Sequence, residues 1–120
     1  MHELCIMNAT TLTYLLGVIK GAGRQHHLLV QEKLAQIGRN LGYTSIIEYK
    51  AGIYDGRQDI IDVVWLSKRK IIAAFEVRMK KSYFLTTSKK DRKKLIRLDV
   101  KKRFLVNISK ISGRNYVQEI

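Results

Sequence analysis

The sequence predicts a single α/β domain in which helices flank a mixed β-sheet. Apolar residues repeat at helical spacing along residues 26–41, which indicates a helix packed on a core. Two nearly continuous apolar runs, residues 60–66 and 71–77, are typical of central strands. The chain has 120 residues, of which 46% are apolar and 28% charged, so it can build one hydrophobic core and has no room for a second.

The N-terminal residues form a segment of their own. Residues 10–20 carry Leu and Ile side chains at helical spacing, and Gly21-Ala22-Gly23 then breaks the pattern. We therefore divide the chain into residues 1–25, a helix with a glycine-containing joint, and residues 26–120, the main α/β domain. The first segment is a candidate dimerisation element, and a homodimer is an open expectation.

The main domain begins with the most regular helix of the chain. Residues 26–41 place Val30, Leu34, Ile37 and Leu41 on one stripe, and Gly42 is the residue expected just past a helix C-terminus. Residues 44–50 are rich in β-branched and aromatic types, which predicts a strand. A turn is predicted over residues 51–58, which contain the Asp55-Gly56 signal.

The two apolar runs predict a β-hairpin at the middle of the sheet. Ser67 to Lys70 separates them, and Lys68 to Lys70 is the expected three-residue loop. A helix is predicted at about residues 88–98, followed by a strand over 103–109 and a short one over 116–120. This order of elements is that of an α/β sandwich or a three-layer arrangement around a mixed sheet.

Two carboxylates interrupt the central apolar strands. Asp62 lies within Ile60–Trp65 and Glu76 within Ala73–Val77. A carboxylate in a central strand costs several kcal/mol unless a cation or hydrogen-bond donors compensate it. With a three-residue loop, Asp62 opposes Glu76 across the ladder, and a hard divalent ion such as Mg²⁺ could bridge the pair.

An alternative treats both acids as structural. In that interpretation Asp62 pairs with Arg57 or Arg78, and Glu76 is the ion-pair partner of a lysine. The loop length distinguishes the two hypotheses, because a loop of two or four residues would put Asp62 and Glu76 on opposite faces of the hairpin. In a regular strand Asp62 shares its face with Ile60 and Val64.

Asp62-Val63-Val64-Trp65, a short basic turn, and Ile71-Ile72-Ala73-Ala74-Phe75-Glu76-Val77-Arg78 together resemble the core hairpin of the PD-(D/E)XK nuclease superfamily. That superfamily includes restriction endonucleases and archaeal Holliday-junction resolvases, and the similarity extends over about residues 26–109. The resemblance implies a restriction-endonuclease-like fold in which a mixed central sheet is flanked by helices. It also implies a Mg²⁺ or Mn²⁺ site held by Asp62 and Glu76.

The resemblance departs from the family at two positions. Arg78 occupies the place of the family's lysine, and a guanidinium can hold a water or a phosphate oxygen but cannot lose its proton near neutral pH. The glutamate that many members carry on the first helix corresponds to Gln31, with Glu32 one residue away. Asp59 is a further candidate ligand, although a solvated turn acid is the favoured interpretation.

Positive charge is concentrated after the Glu76 strand. The net charge is +13, and the stretch from Arg78 to Arg103 contributes +10 of it, from twelve basic residues and two acidic ones. This excess predicts phosphate binding, although a membrane surface, an acidic protein or a merely solvated helix face would also accommodate it. The candidate nucleic-acid-binding residues are Arg57, Lys80, Lys81, Lys89, Lys90, Arg92, Lys93, Lys94 and Arg97. His26 and His27 are interpreted as ordinary surface residues.

These observations predict a divalent-metal-dependent endonuclease in which Asp62, Glu76 and Arg78 are catalytic, acting on DNA in preference to RNA. The competing hypothesis is a non-catalytic nucleic-acid-binding module on a degenerate PD-(D/E)XK fold, in which Arg78 ion-pairs with Glu76 and occupies the metal's place. The single cysteine, Cys5, excludes an internal disulfide and a cysteine-based zinc cage. A cytoplasmic location is expected, and no membrane span is predicted because the apolar run 12–19 is too short.

Overall fold

The computed structural model describes residues 7–19, 23–80, 89–109 and 112–120. Within these residues the chain forms three helices and five strands. In chain order they are α1 (Ala9–Leu16), α2 (Gly23–Asn40), β1 (Thr44–Tyr54), β2 (Arg57–Ser67), β3 (Lys70–Lys80), α3 (Lys89–Arg97), β4 (Lys102–Ser109) and β5 (Asn115–Glu119). Every predicted helix and strand is present.

The strands form one sheet in the order β1-β2-β3-β4-β5. All neighbours are antiparallel except β3 and β4, which run parallel because α3 forms the connection between them. The predicted mixed sheet and single α/β domain are therefore confirmed. The turn predicted over residues 51–58 is too long, since β1 continues to Tyr54 and the turn contains Asp55 and Gly56 alone.

Helices cover both faces of the sheet. On one face, α1 and α2 pack with Trp65, Phe75 and Phe104 in the larger apolar cluster. Leu12 and Leu16 of α1 are fully buried in that cluster, so α1 belongs to the same core as α2. On the other face, Leu95 of α3 packs in a smaller cluster.

Gly38 lies where α2 packs closely against the sheet. A Cβ atom at this position would lie 2.4 Å from Trp65 Nε1 and 2.6 Å from Ser45 Oγ. Both polar atoms are already engaged, because Trp65 Nε1–H donates to Leu34 O and Ser45 Oγ–H donates to Ala35 O. Glycine at residue 38 therefore lets α2 lie directly on β1 and β2.

The β2–β3 turn differs from the prediction. Ser67 pairs with Lys70, so the loop contains two residues, Lys68 and Arg69, both with positive φ. A bulge then shifts the register, since Leu66 pairs with Ile71 but Trp65 pairs with Ala73. The extra residue on β3 restores the register that a three-residue loop would have produced.

Arg103 of β4 positions α3. Its guanidinium donates from Nε to Leu95 O at 2.8 Å and from Nη2 to Leu98 O at 2.7 Å. Carbonyl groups in the last helical turn lack intrahelical donors, so an arginine here both caps the helix and ties it to the sheet. Among the described residues, no helix combines the length and the apolar content needed to cross a membrane.

Candidate functional site

Asp62 and Glu76 lie where β2 and β3 separate. Backbone pairing between these strands ends at Val63 and Phe75, beyond which β2 pairs with β1 and β3 pairs with β4. The carboxylates bridge the opening: Val77 N–H donates to Asp62 Oδ2 at 2.6 Å, and Asp62 N–H donates to Glu76 Oε1 at 3.1 Å. Each acid therefore accepts the hydrogen bond that a ladder carbonyl would otherwise accept.

The strands are irregular at this point on the β1 side as well. Ile47 pairs with Val63 and Tyr49 with Ile61, while Glu48 between them has a φ of 55°. Ile61 and Val63 would share a face in a regular strand, yet they belong to clusters on opposite faces of the sheet. The expectation that Asp62 shares a face with Val64 is therefore wrong, because β2 rotates at Asp62 and its carboxylate enters the gap between the strands.

α2 supplies a cation and an amide to Asp62. His27 Nε2 is 3.5 Å from Asp62 Oδ2 and 3.2 Å from Val77 O, and Gln31 Nε2–H donates to Asp62 O at 3.0 Å. That orientation leaves Gln31 Oε1 as the acceptor for His27 Nδ1–H, at 3.1 Å. Both ring nitrogens thus face acceptors, which favours the imidazolium.

The electrostatic surroundings of His27 agree with this geometry. Its hydrogen bond to Asp62 raises the pKa of His27 above the ordinary value, while partial burial opposes the rise. The interpretation of His26 and His27 as surface residues was wrong: His26 is 1% exposed, and His27 contacts the candidate site. The i, i+4 spacing of His27 and Gln31 places both on one helix face, and that was the signal in the sequence that could have linked them.

α3 supplies a cation to Glu76. Glu76 is 3% exposed. Lys94 Nζ lies 3.0 Å from Glu76 Oε2 and 3.0 Å from Ile60 O. Burial, and then the charge of Asp62, raise the pKa of Glu76 to about 7, against the opposing effect of Lys94. Glu76 is thus the ion-pair partner of a lysine, as the structural interpretation predicted.

The remaining candidate acids occupy different surroundings. Gln31 is buried against Asp62 whereas Glu32 is exposed, so the structure brings Gln31 and not Glu32 to the site. Asp59 lies in β2 and not in the predicted turn, and it accepts two hydrogen bonds from Arg97, at 2.9 and 3.0 Å. Arg78 follows Glu76 by two residues on β3 and is half-buried.

The basic residues of α3 divide into two groups. Lys94 and Arg97 turn toward the sheet, where they contact Glu76 and Asp59. Arg92 and Lys93 are exposed, as is Arg57 at the start of β2. Lys81 and the side chains of Lys80, Lys89 and Lys90 lie outside the described residues.

A further feature of the site is the set of side chains that a metal ion could use as ligands. Among the described residues, no group of three or more His, Cys, Asp and Glu side chains is placed to hold a metal ion. Asp62 and Glu76 nevertheless form an acidic pair, and each has one oxygen held by a backbone amide. Magnesium is commonly bound by one or two carboxylates, with water and substrate phosphate completing the octahedron, so two ligands are chemically sufficient.

Comparisons of the chain with protein-family models, with curated proteins and with solved structures found no match.

Proposed function

We propose that this protein is a divalent-metal-dependent nuclease that hydrolyses phosphodiester bonds in nucleic acid, with DNA as the expected substrate. The observation that carries the proposal is the meeting of Asp62 and Glu76 at the point where β2 and β3 separate. The resemblance of this hairpin to the PD-(D/E)XK nucleases, and a net charge of +13, support the same function.

The residues present fit a Mg²⁺ or Mn²⁺ ion. Asp62 and Glu76 would hold it, and the ion would supply Lewis-acid stabilisation and a water with a lowered pKa. The amide of Val77 and the imidazolium of His27 orient the Asp62 carboxylate, as outer ligands do around metal sites. Gln31 fixes His27 in turn, so α2 determines where the Asp62 oxygens lie.

Two cationic side chains, Arg78 and Lys94, have different roles beside Asp62 and Glu76. Arg78 is the proposed ligand of the scissile phosphate, where its guanidinium would stabilise developing negative charge. Lys94 holds Glu76 in the described structure, at 3.0 Å. Exposed Arg92 and Lys93 on α3 would contact phosphates away from the cleavage point.

A second candidate function is favoured by one specific contact. Lys94 Nζ lies 3.0 Å from Glu76 Oε2, so the acid already has a counter-ion within the protein. The sequence-based form of this hypothesis assigned that role to Arg78. A nucleic-acid-binding module without catalysis would keep such an ion pair permanently.

Incubation with branched, duplex and single-stranded DNA in Mg²⁺ or Mn²⁺ separates the two functions. The nuclease should cut at least one substrate, and Asp62→Asn and Glu76→Gln should each reduce cutting to background because each removes a metal ligand. Glu32→Gln is the matched control, since Glu32 is exposed on α2 and should leave cleavage unchanged. Salt-dependent binding without cleavage of any substrate would reject the nuclease and support the module.

A further inference from the structure

A groove of about 340 Å³ lies between the β1–β2 turn and α3. Its lining residues are Tyr54, Asp55, Arg57, Asp59, Lys94 and Arg97. Lys94 also reaches Glu76, and Arg97 follows Lys94 by three residues on α3, about one helical turn. Lys94 therefore belongs both to the groove and to the candidate carboxylate site, which makes the two neighbours.

The ring of Tyr54 is held in place from one side. The guanidinium carbon of Arg97 lies 3.9 Å from the ring centroid, a cation–π contact. Arg97 is itself fixed by its two hydrogen bonds to Asp59, at 2.9 and 3.0 Å. Tyr54 is still 56% exposed, so part of this positioned ring remains accessible to a ligand at little entropic cost.

The charge of the groove selects the class of ligand. Lys94 and Arg97 each face a carboxylate, Glu76 and Asp59 respectively. Asp55 adds a further negative charge at the turn, which leaves Arg57 as the cation on the exposed rim. The groove therefore carries little net charge and attracts a phosphate only weakly, whereas an uncharged planar ring can stack on the exposed part of the Tyr54 ring.

We propose that this groove is a subsite for an unpaired nucleobase that stacks on Tyr54, next to the phosphodiester that a metal ion at Asp62 and Glu76 would hold. The inference rests on the proposed function and adds a substrate class to it. A base can stack on this ring only after it has left its neighbours in a duplex. The protein therefore acts on single-stranded or branched nucleic acid that presents an unpaired nucleotide beside the cleavage point.

The test uses DNA with a short single-stranded overhang that carries 2-aminopurine, and a fully paired duplex with the same label. Binding is measured at fixed salt in metal-free buffer, where cutting does not interfere. Tyr54→Ala should weaken binding to the overhang by roughly ten-fold and should abolish the fluorescence quenching that stacking causes. Tyr54→Phe keeps the ring and should behave as wild type. Ile53→Ala changes the adjacent residue, which is 77% exposed and outside the groove, and should also have no effect.

The outcomes separate this inference from the nuclease proposal. If the wild type cuts DNA but Tyr54→Ala binds overhang and duplex as the wild type does, the base subsite is rejected and the nuclease stands. If binding to the overhang depends on the Tyr54 ring while no substrate is cut, the base subsite stands and the nuclease is rejected. Absence of overhang binding by the wild type would reject the base subsite.

Discussion

Replacing Glu76 by Gln should remove much of the pH dependence of stability between pH 5 and pH 8. The pKa of Glu76 is raised from 4.5 to about 7 because burial and Asp62 disfavour its charge. Below pH 4.5 the acid is protonated in both the folded and the unfolded state, so its ionisation has no effect there. Between pH 4.5 and pH 7 the unfolded chain loses the proton first, so the free energy of unfolding falls as pH rises.

The size of this loss follows from the pKa difference. At about 1.4 kcal/mol per pH unit, full ionisation of Glu76 costs about 3 kcal/mol, of which 2 to 3 kcal/mol falls between pH 5 and pH 8. His27 acts in the same direction, since its pKa is also raised and its stabilisation is lost as pH rises through the folded-state value. The comparison of wild type with Glu76→Gln therefore isolates the Glu76 contribution.

Urea unfolding followed by fluorescence measures the effect directly. Trp65 is the one tryptophan and is fully buried, so it reports global unfolding. Between pH 5 and pH 8, the free energy of unfolding of the wild type should fall by about 2 to 3 kcal/mol more than that of Glu76→Gln. Glu32→Gln is the control and should track the wild type. Parallel pH profiles for wild type and Glu76→Gln would refute the argument that Glu76 is a destabilised buried acid.

Three further outcomes are expected. Gly38→Ala should destabilise the fold by about 1–3 kcal/mol in urea titrations, because overpacking against Trp65 and Ser45 outweighs the helix preference of Ala. Gln36→Ala, on the exposed side of α2, is the control and should be nearly neutral. Glu48→Gly should leave the free energy of unfolding unchanged or raise it, because φ is 55° at this residue. Lys50→Gly is the control: this residue lies two positions further along β1 without positive φ, and its replacement should lower the free energy of unfolding by about 1 kcal/mol. Lys93→Gln should reduce the slope of log binding constant against log salt by about one, and Lys50→Gln should leave that slope unchanged. Equal slopes for these two variants would exclude α3 from the phosphate-binding surface.

Most of the fold could be predicted because its signals are local. The stripe of α2 ends at a glycine with positive φ, Gly42, and Asp55-Gly56 forms the predicted tight turn. The β2–β3 turn could not be predicted in the same way, because Lys68 and Arg69 adopt positive φ without any Asn or Gly to signal it. The sequence also carries no signal for the bulge that follows, since the bulge depends on how the apolar side chains of β3 pack.

The sequence located the two acids of the candidate site, because both lie in apolar strands, whereas tertiary contacts bring their partners to them. Asp62 and Glu76 could be found because acids in apolar strands are rare and need partners. The pair was expected to form through a three-residue loop, and it forms instead through a two-residue loop followed by a bulge. Gln31 and a lysine partner for Glu76 were anticipated, but His27 was missed and the lysine could not be identified as Lys94, because α2 and α3 reach the acids from opposite faces of the sheet.

Lys94 bears on the choice between nuclease and binding module more directly than Arg78 does. Its ammonium and a divalent ion would compete for one oxygen, Glu76 Oε2, which now lies 3.0 Å from Nζ. At equal distance a dication attracts a carboxylate twice as strongly as an ammonium, although it must first lose part of its hydration shell. The flexible stem of a lysine would also let Nζ contact a phosphate in place of Glu76. If the protein is the proposed nuclease, an internal counter-ion of this kind would be compatible with catalysis and would raise the metal concentration that catalysis requires.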